Sequence, residues 1–386
     1  MNAFFERWIF FGVVLLSFLC AWRASARPPV TVHKLFHHTA CDTNNIELGS
    51  FVLYGNGFAK EPLNKSVRSL DDSEEYTFII PHAMVQDFEC RRKIQELNKN
   101  SEHKGYRLTI EQVKSAEPAI AIKFMYPKGQ CVVSYAYIDS IQREKGIVFH
   151  VYNSSLMHSL KKQQSPVIRT AALLHSPPIL FIDPGHGGAD AGAIARSGIT
   201  EKEVCLAVSK KVEVMLTAFG HTVFSSRNKD LQVPLDVRTQ LASKSNTDLV
   251  VSIHANAAPS HKAAGVEIFF LDPHFLDQQQ GVTVEMGALL KKYRELRSTQ
   301  SRLLAEAIHT EVCAQLPDHN SVFKDRGIKT AVSQILLGVG RPAVLIEIGF
   351  LTNSKEAQLL SDKNYQSIVA KSIALGIHNY CVNMQV

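Results

Sequence analysis

The chain has 386 residues, of which 45% are hydrophobic and 20% are charged. This length is enough for two domains with hydrophobic cores, and the composition is that of an ordinary globular protein. The net charge is +6, without the arginine-aromatic pattern typical of a nucleic-acid binder. We therefore expect no nucleic-acid partner. The charge indicates a mildly basic solvated surface rather than a dedicated site for an anionic polymer or membrane.

The N-terminal segment has the features of a secretory signal peptide. An apolar run from Ile9 to Cys20 follows Arg7 and precedes Ala24-Ser25-Ala26, so cleavage is predicted after Ala26. The alternative, a transmembrane anchor, is disfavoured because a spanning helix needs roughly 20 apolar residues. We expect a mature protein that has no stable membrane span and is secreted to the periplasm or cell envelope.

Six cysteines remain after residue 26, at positions 41, 90, 131, 205, 313 and 381. Their wide scatter differs from a dense disulfide scaffold, and no C-x-x-C motif indicates a zinc ribbon or a redox site. Most are expected to be small buried apolar residues. A pairing of Cys41 with Cys90 is left open.

Residues 27–153 are predicted to form a small β-rich domain. Ile120, Ile122, Phe124 and Tyr126 recur at every second position, which is the period of a half-buried strand. Strands are expected at 51–55, 76–80, 106–113, 119–126, 131–138 and 146–152, with one helix at 87–97. The polar residues of this domain form no spaced ligand cluster. Residues 154–178 have the composition of a linker.

Residues 179–386 are predicted to form an α/β domain. Expected strands at 179–182, 221–226, 248–253, 265–271 and 343–348 alternate with expected helices at 201–219, 234–244, 298–316 and 365–380. Such alternation predicts a mostly parallel twisted sheet with helices on both faces. Ligands of such sheets bind beyond the carboxyl ends of the strands, so the residues that follow each strand are the candidates for chemistry.

Two histidines and two glutamates are expected at this edge. The first strand runs into a Gly-rich turn that carries His186, and His254 stands directly after a second buried strand. Thr200 and Glu203 have the spacing of a capping box, which leaves Glu201 in the first helical turn, pointing back toward the turn of His186. Glu347 lies near the end of the last strand.

These residues fit a catalytic zinc site. Two histidines and one glutamate are a common ligand set for a zinc ion that keeps one position open, and His186, Glu201 and His254 supply it. Glu347 is then the acid/base that takes a proton from the attacking water and returns it to the leaving nitrogen. No motif of a serine or cysteine hydrolase accompanies them.

Five motifs in order resemble the zinc-dependent N-acetylmuramoyl-L-alanine amidases of amidase family 3. They are D-P-G-H-G-G with Asp190 to Ala193, T-E-K-E, S-I-H-A-N-A, K-D-R-G and P-A-V-L-I-E-I-G-F-L-T-N, between residues 179 and 380. The resemblance implies zinc ligation by His186, Glu201 and His254, and Glu347 as the base. It also implies peptidoglycan as the substrate, cut between N-acetylmuramic acid and L-alanine during cell division, remodelling or recycling.

Weaker expectations concern the surroundings of this site. Asp183 is expected either to orient a zinc ligand or to cap its own turn, and Asn256 and Glu267 are candidates for lining the cleft or contacting substrate. The β-rich domain weakly resembles the AMIN-type modules that precede some cell-wall amidases and bind the envelope.

Residues 272–299 form an insertion relative to compact members of the family. Val284, Ala288, Leu289 and Tyr293 have helical spacing. Division-associated amidases use an insertion near here to cover the zinc until an activator protein moves it. The resemblance therefore implies a lid with Glu285 as a reversible zinc contact, and an extended surface helix is the alternative.

Two other functions remain open. A zinc peptidase, acting as a carboxypeptidase or endopeptidase, would use the same ligands to cut a peptide bond within the stem. A catalytically silent wall-binding regulator usually lacks a ligand or the base, whereas all four residues are present here.

Overall fold

The computed structural model describes residues 30–39, 47–58, 63–99, 102–103, 106–113, 118–139, 145–154, 178–276, 284–319 and 321–384. The predicted signal peptide and nearly all of the predicted linker lie outside these residues. Strands and helices are present in both predicted domains.

The described residues of the first half of the chain form ten strands and one α-helix. The strands are β1 (Val30–Thr39), β2 (Glu47–Asn56), β3 (Asn64–Ser69), β4 (Ser73–Ile80), β5 (Ala83–Val85), β6 (Glu102–His103), β7 (Tyr106–Val113), β8 (Ala119–Pro127), β9 (Cys131–Asp139) and β10 (Lys145–Asn153), and the helix is α1 (Phe88–Lys99). One sheet has the order β5-β1-β2-β10-β9 and the other has the order β3-β4-β8-β7-β6. The predicted strands and helix all correspond to observed elements, whereas β1, β3, β5 and β6 were not predicted.

The two sheets pack face to face around an aromatic core. Phe78, Phe124, Tyr135 and Phe149 are fully buried between them, and their ring centroids lie 5.4 to 6.1 Å apart in tilted and edge-to-face pairs. The alternate residues of the first sheet are apolar as well, for example Val148. This sheet therefore has two apolar faces, and only one of them is covered by the sandwich.

The second half of the chain contains six strands and six helices among its described residues. The strands are β11 (Ile179–Pro184), β12 (Thr222–Ser225), β13 (Leu249–Asn256), β14 (Val266–Phe270), β15 (Asp325–Thr330) and β16 (Ala343–Phe350). The helices are α2 (Glu201–Ala218), α3 (Leu235–Lys244), α4 (Val284–Gln315), α5 (Gln334–Gly338), α6 (Ser354–Ser361) and α7 (Lys363–Asn383). β15, α5 and α6 were not predicted.

These six strands form one mixed sheet of order β12-β11-β13-β16-β14-β15. β12, β11, β13 and β16 are mutually parallel, and β14 runs antiparallel to β16. The predicted α/β class with a mostly parallel sheet is confirmed. The reversal at β14 brings the amino end of that strand to the edge where β11 and β13 end.

Helices α2, α4 and α7 cover one face of this sheet. Alternate residues such as Leu180, Ile182 and Ile346 point into this layer and are fully buried. The predicted capping box of α2 is present, since the Thr200 amide donates to the Glu203 carboxylate at 3.1 Å, and Gly220 follows the helix with φ 88°. No described helix combines the length and hydropathy needed to span a membrane.

The other face of the sheet is covered by α3, α5 and the first β-rich sheet. Phe181 of β11 and Leu336 of α5 lie in one buried apolar cluster with Val52, Tyr54 and Val148 of the sandwich. A sheet with two apolar faces is thereby buried on both sides. The two halves of the chain share this continuous hydrophobic core.

Helix α4 spans 32 residues and includes both the predicted helix at 298–316 and the helical spacing at 284–293. These were predicted as two separate segments, because Arg294, Glu295 and Arg297 interrupt the apolar pattern between them. Arg294 donates to the Tyr152 hydroxyl and Arg297 donates to the Leu336 carbonyl, and both side chains are buried. Polar residues thus continue the packed face of the helix.

Two phenylalanines provide a matched test of the shared core. Phe181 and Phe224 are register partners on adjacent strands, but Phe181 is fully buried and Phe224 is 44% exposed. We expect Phe181→Ala to lower the free energy of unfolding by about 3 to 5 kcal/mol, and Phe224→Ala to change it by about 0.5 kcal/mol or less. Chemical denaturation followed by circular dichroism measures both, and equal effects would contradict burial at the shared core.

Candidate metal centre and its cleft

A buried ion pair fixes the end of β11. Arg238 Nη1 lies 2.7 Å from Asp183 Oδ1, and the hydroxyls of Ser226 and Ser252 donate to the same carboxylate at 2.6 and 2.8 Å. Burial alone would raise the pKa of Asp183, but Arg238 and these hydroxyls hold it below its ordinary value. Asp183 makes no hydrogen bond to the His186, Glu201 or His254 side chains, so it supports the turn rather than orienting a ligand directly.

Two buried arginines bind the carbonyl groups of the Gly-rich turn. Arg238 donates to the carbonyls of Pro184 and His186 at 2.5 and 2.6 Å, and Arg227 Nη2 donates to the carbonyl of Gly185 at 2.6 Å. These bonds satisfy the acceptors that a turn at a strand end leaves unpaired. The side chains that follow β11 are held in one arrangement as a result.

His186 projects from this turn in a left-handed backbone conformation, with φ 56°. Its Nδ1 lies 2.9 Å from Asp190 Oδ2, which fixes the ring and leaves Nε2 directed toward Glu201 Oε2 at 3.1 Å. Asp190 was part of a recognised motif, but the sequence assigned it no role. Its contact with His186 is the kind of bond that sets the tautomer of a metal-binding imidazole.

Glu201 connects the two histidines. Its Oε1 lies 2.8 Å from His254 Nδ1 and accepts the Ala255 amide at 3.1 Å, while its Oε2 accepts the Ala193 amide at 2.9 Å. Burial would raise the pKa of Glu201, but the two imidazoles hold it well below its ordinary value. The structure thus brings together the three predicted ligand residues, with their ligand atoms within 4.8 Å of one another.

Two glycines leave room for these side chains. A Cβ atom at Gly185 would lie 2.5 Å from the His254 ring, and one at Gly192 would lie 2.5 Å from Glu201 Oε2 and 2.6 Å from the His186 ring. Such distances are too short for any side chain. The glycines of the motif therefore permit the close approach of the site's own side chains.

Glu347 lies beside this cluster in the sheet. On β16 it is the register partner of His254 on one side and of Glu267 on the other. Its Oε2 is buried without a hydrogen-bond partner among the described residues. The pKa of Glu347 is raised well above its ordinary value. Burial is the largest cause, and the negative charges of Glu201 and Glu267 add to it. A carboxyl group with a raised pKa holds a proton more readily than an ordinary glutamate, as a general acid/base must.

Glu267 forms ion pairs with two basic side chains and a hydrogen bond with Asn256. Its Oε2 accepts Arg326 Nε at 2.9 Å and also accepts the Lys329 ammonium, while its Oε1 accepts the Asn256 amide at 2.6 Å. Asn256 lines the cleft as predicted, whereas Glu267 is buried behind it and does not. Glu267 acts on the site through its charge and through the orientation of Asn256.

The cluster opens into a cavity of about 640 Å³. Residues 232–236 and 332–335 form part of its rim, and Lys34, Tyr54 and Lys93 of the β-rich half also line it. None of the described residues of the 272–299 segment lines this cavity. The side chain of Glu285 is not among those that the structure describes, so its contact with zinc stays a prediction.

A second group of ligand-type atoms lies elsewhere in this half of the chain. His309 Nε2 is 2.7 Å from Asp325 Oδ1 and 3.4 Å from Cys313 Sγ. His309 was not predicted to have a role. Asp325 also accepts the Gly327 amide, so it caps its own turn. Cys90 is a free, buried thiol. The pairing with Cys41, which the sequence left open, involves a residue outside the described part of the chain.

The chain can be assigned to a protein family, because a family profile matches more than half of its residues. Residues 180–379, which include every residue of the cluster, match the profile of a family described as N-acetylmuramoyl-L-alanine amidase. The chain belongs to this family. The five motifs and the sheet edge described above fall within the matched region.

The chain is also similar to individual N-acetylmuramoyl-L-alanine amidases. N-acetylmuramoyl-L-alanine amidase AmiC of Neisseria meningitidis is 32% identical over 223 residues, which are 53% of this chain and 52% of that protein. AmiA of Salmonella typhimurium is 30% identical over 254 residues, covering 59% and 86% of the two chains. The structure of AmiC2 of Nostoc punctiforme has 28% identity, a TM-score of 0.43, and coverage of 53% and 96%. The match thus spans about half the length of the Neisseria relative.

The ion pair beneath the turn has a testable effect on stability. We expect Asp183→Asn to lower the free energy of unfolding by about 3 to 5 kcal/mol, because Arg238 would remain buried without its counter-charge. Since the folded pKa of Asp183 is depressed, its contribution is present above its unfolded pKa of about 3.9 and is lost as the pH falls through the lower folded value.

Urea denaturation of the wild type and of Asp183→Asn between pH 7 and pH 3 measures this contribution. Ser226→Ala is the control, because it removes one hydrogen bond to Asp183 and leaves both charges in place. The difference in the free energy of unfolding between the wild type and Asp183→Asn should become smaller at low pH. A difference that does not change with pH would contradict the role of the Asp183 charge.

Proposed function

We propose that this protein is a zinc-dependent N-acetylmuramoyl-L-alanine amidase of the cell envelope. Its substrate is then peptidoglycan, and the bond it hydrolyses joins N-acetylmuramic acid to the L-alanine of the stem peptide. The observation that carries this proposal is the convergence of His186, Glu201 and His254 beside Glu347, a partly buried residue whose Oε2 is buried, within a chain that belongs to the amidase family. The predicted signal peptide supports secretion.

The three side chains fit a zinc ion by their chemistry. Asp190 accepts the proton of His186 Nδ1, so that Nε2 keeps a lone pair for the metal, and the low pKa of Glu201 keeps it ionised. His254 offers Nδ1 to the same point. Three ligands of this kind leave one position open, which is typical of catalytic rather than structural zinc sites.

A zinc ion held there would lower the pKa of water and polarise the scissile carbonyl group. Glu347 would take the proton of the attacking water and later donate it to the leaving nitrogen of L-alanine. Its burial and its two acidic neighbours favour a carboxyl group that both accepts and returns a proton. Because water is the nucleophile, the mechanism requires no covalent intermediate.

The reaction is tested by the products formed from intact peptidoglycan. We expect purified protein supplied with zinc to release free stem peptides that begin with L-alanine, while the glycan strands remain intact. Mass spectrometry of the soluble products identifies them. Shortened stems that remain attached to the glycan would instead support a zinc peptidase, and the absence of any product would contradict both activities.

Substitutions separate metal binding from proton transfer. We expect Glu347→Gln to retain zinc and to lower kcat by about a hundredfold to ten-thousandfold, because an amide cannot accept the proton. His186→Ala should lose zinc, as measured by elemental analysis after dialysis. Glu306→Gln, which alters a surface carboxylate of α4, should leave both properties unchanged. Full activity of Glu347→Gln would reject the assigned base.

A further inference from the structure

A second group of metal-ligand side chains lies apart from the candidate site. His309, Cys313 and Asp325 each offer one ligand atom, and these atoms lie within 4.8 Å of one another, the same limit that the three ligand residues of the candidate site meet. We call these three residues the second ligand group. None of them lines the cavity of the candidate site.

The second ligand group joins the end of a helix to the start of a strand. His309 and Cys313 are four residues apart in the last two turns of α4, so their side chains are neighbours on one face of the helix. Asp325 is the first residue of β15 and reaches them from a different element. Two ligands at this helical spacing, with a third from elsewhere in the chain, form a common arrangement for a bound zinc ion.

The distances within the group are close to those that a metal ion requires. Cys313 Sγ lies 3.4 Å from His309 Nε2, which lies 2.7 Å from Asp325 Oδ1. A tetrahedral zinc ion holds neighbouring nitrogen, oxygen and sulfur ligands roughly 3.3 to 3.6 Å apart. Entry of the ion therefore requires His309 and Asp325 to separate by about 0.6 Å. The Glu201 oxygens of the candidate site contact their two histidines at 3.1 and 2.8 Å, so both groups need a small expansion.

The chemistry of the three side chains favours zinc or a similar divalent transition-metal ion. Imidazole and thiolate ligands select such ions over Mg²⁺ and Ca²⁺, which take oxygen ligands. Among the described free cysteines, Cys313 is the one that is not buried, and its sulfur contacts an imidazole. Burial and then the charge of Asp325 raise the pKa of the Cys313 thiol to about 11. A metal ion must therefore displace the thiol proton, which coordination to a divalent ion does.

Solvent reaches the second ligand group, which allows water to be the fourth ligand. The side chain of Asp325 is 50% exposed, compared with 7% for Glu201. The residues on either side of Asp325 are basic, but Arg326 donates to Glu267 and Lys324 is exposed to solvent. Because of this exposure and the thiol proton, we expect the second ligand group to bind its ion more weakly than the candidate site and to lose it during dialysis.

We propose that His309, Cys313 and Asp325 bind a second zinc ion, separate from the candidate catalytic ion, which ties the end of α4 to the start of β15. The ion replaces the direct contact between His309 and Asp325 with three metal–ligand bonds, and the thiol proton is released to solvent. Its role is structural, because it fixes the strand that also carries Arg326, the ion-pair partner of Glu267. This inference is independent of the proposed amidase function, since ligation by these residues involves no substrate.

Cobalt(II) distinguishes the two sites by their ligands. A thiolate bound to Co²⁺ gives an intense charge-transfer band in the near ultraviolet, whereas His186, Glu201 and His254 include no sulfur. Full-length protein that is freed of metal by chelation and then titrated with Co²⁺ should bind about two ions per chain and show this band. His186→Ala should bind about one ion and keep the band, whereas Cys313→Ser and His309→Ala should each bind about one ion and lose it.

A control variant and a stability measurement make the outcome specific. His274→Ala removes a histidine outside both groups that also contacts an aspartate, Asp272, at 2.6 Å, and it should keep both ions and the band. In the His186→Ala background, added zinc should raise the melting temperature, and Cys313→Ser should abolish this increase. A band that survives Cys313→Ser, or wild-type binding of a single ion without the band, would overturn the proposal. An unchanged melting temperature would overturn the structural role of the ion.

Discussion

The arrangement of the candidate site depends on the buried ion pair between Asp183 and Arg238. A strand that ends in a Gly-rich turn leaves carbonyl groups that the sheet cannot satisfy, and a buried unpaired carbonyl is costly. Arg238 resolves this by binding the carbonyls of Pro184 and His186 while its charge is balanced by Asp183. His186 is thereby held in a left-handed conformation that residues other than glycine rarely adopt.

The sheet then sets the electrostatics of the site through strand direction. Because β13 and β16 are parallel, their pairing places His254 beside Glu347, and because β14 is antiparallel it places Glu267 on the opposite side. Glu201 keeps its charge through two imidazole contacts. Among the described residues, Glu347 Oε2 has no hydrogen-bond partner, and Glu347 has two acidic neighbours. The surroundings of these two carboxylates thus lower the pKa of Glu201 and raise the pKa of Glu347.

Much of this arrangement can be predicted from local patterns in the sequence. The strand ends that present His186 and His254 are visible as apolar runs followed by polar or Gly-rich residues, and the capping box identifies Glu201 as the free carboxylate. The role of Arg238 depends instead on contacts with residues more than 50 positions away. The bulge between Val32 and Lys34 in β1 likewise arises from strand pairing, which hydrophobic periodicity does not reveal.

We expect one zinc ion to bind where His186, Glu201 and His254 converge. Anomalous diffraction at the zinc absorption edge, from crystals grown with zinc, locates the ion without reference to activity. The account predicts one strong peak about 2.0 to 2.2 Å from the three ligand atoms. A zinc-loaded crystal with no peak at this position, or with its only peak at His309, Cys313 and Asp325, would contradict it.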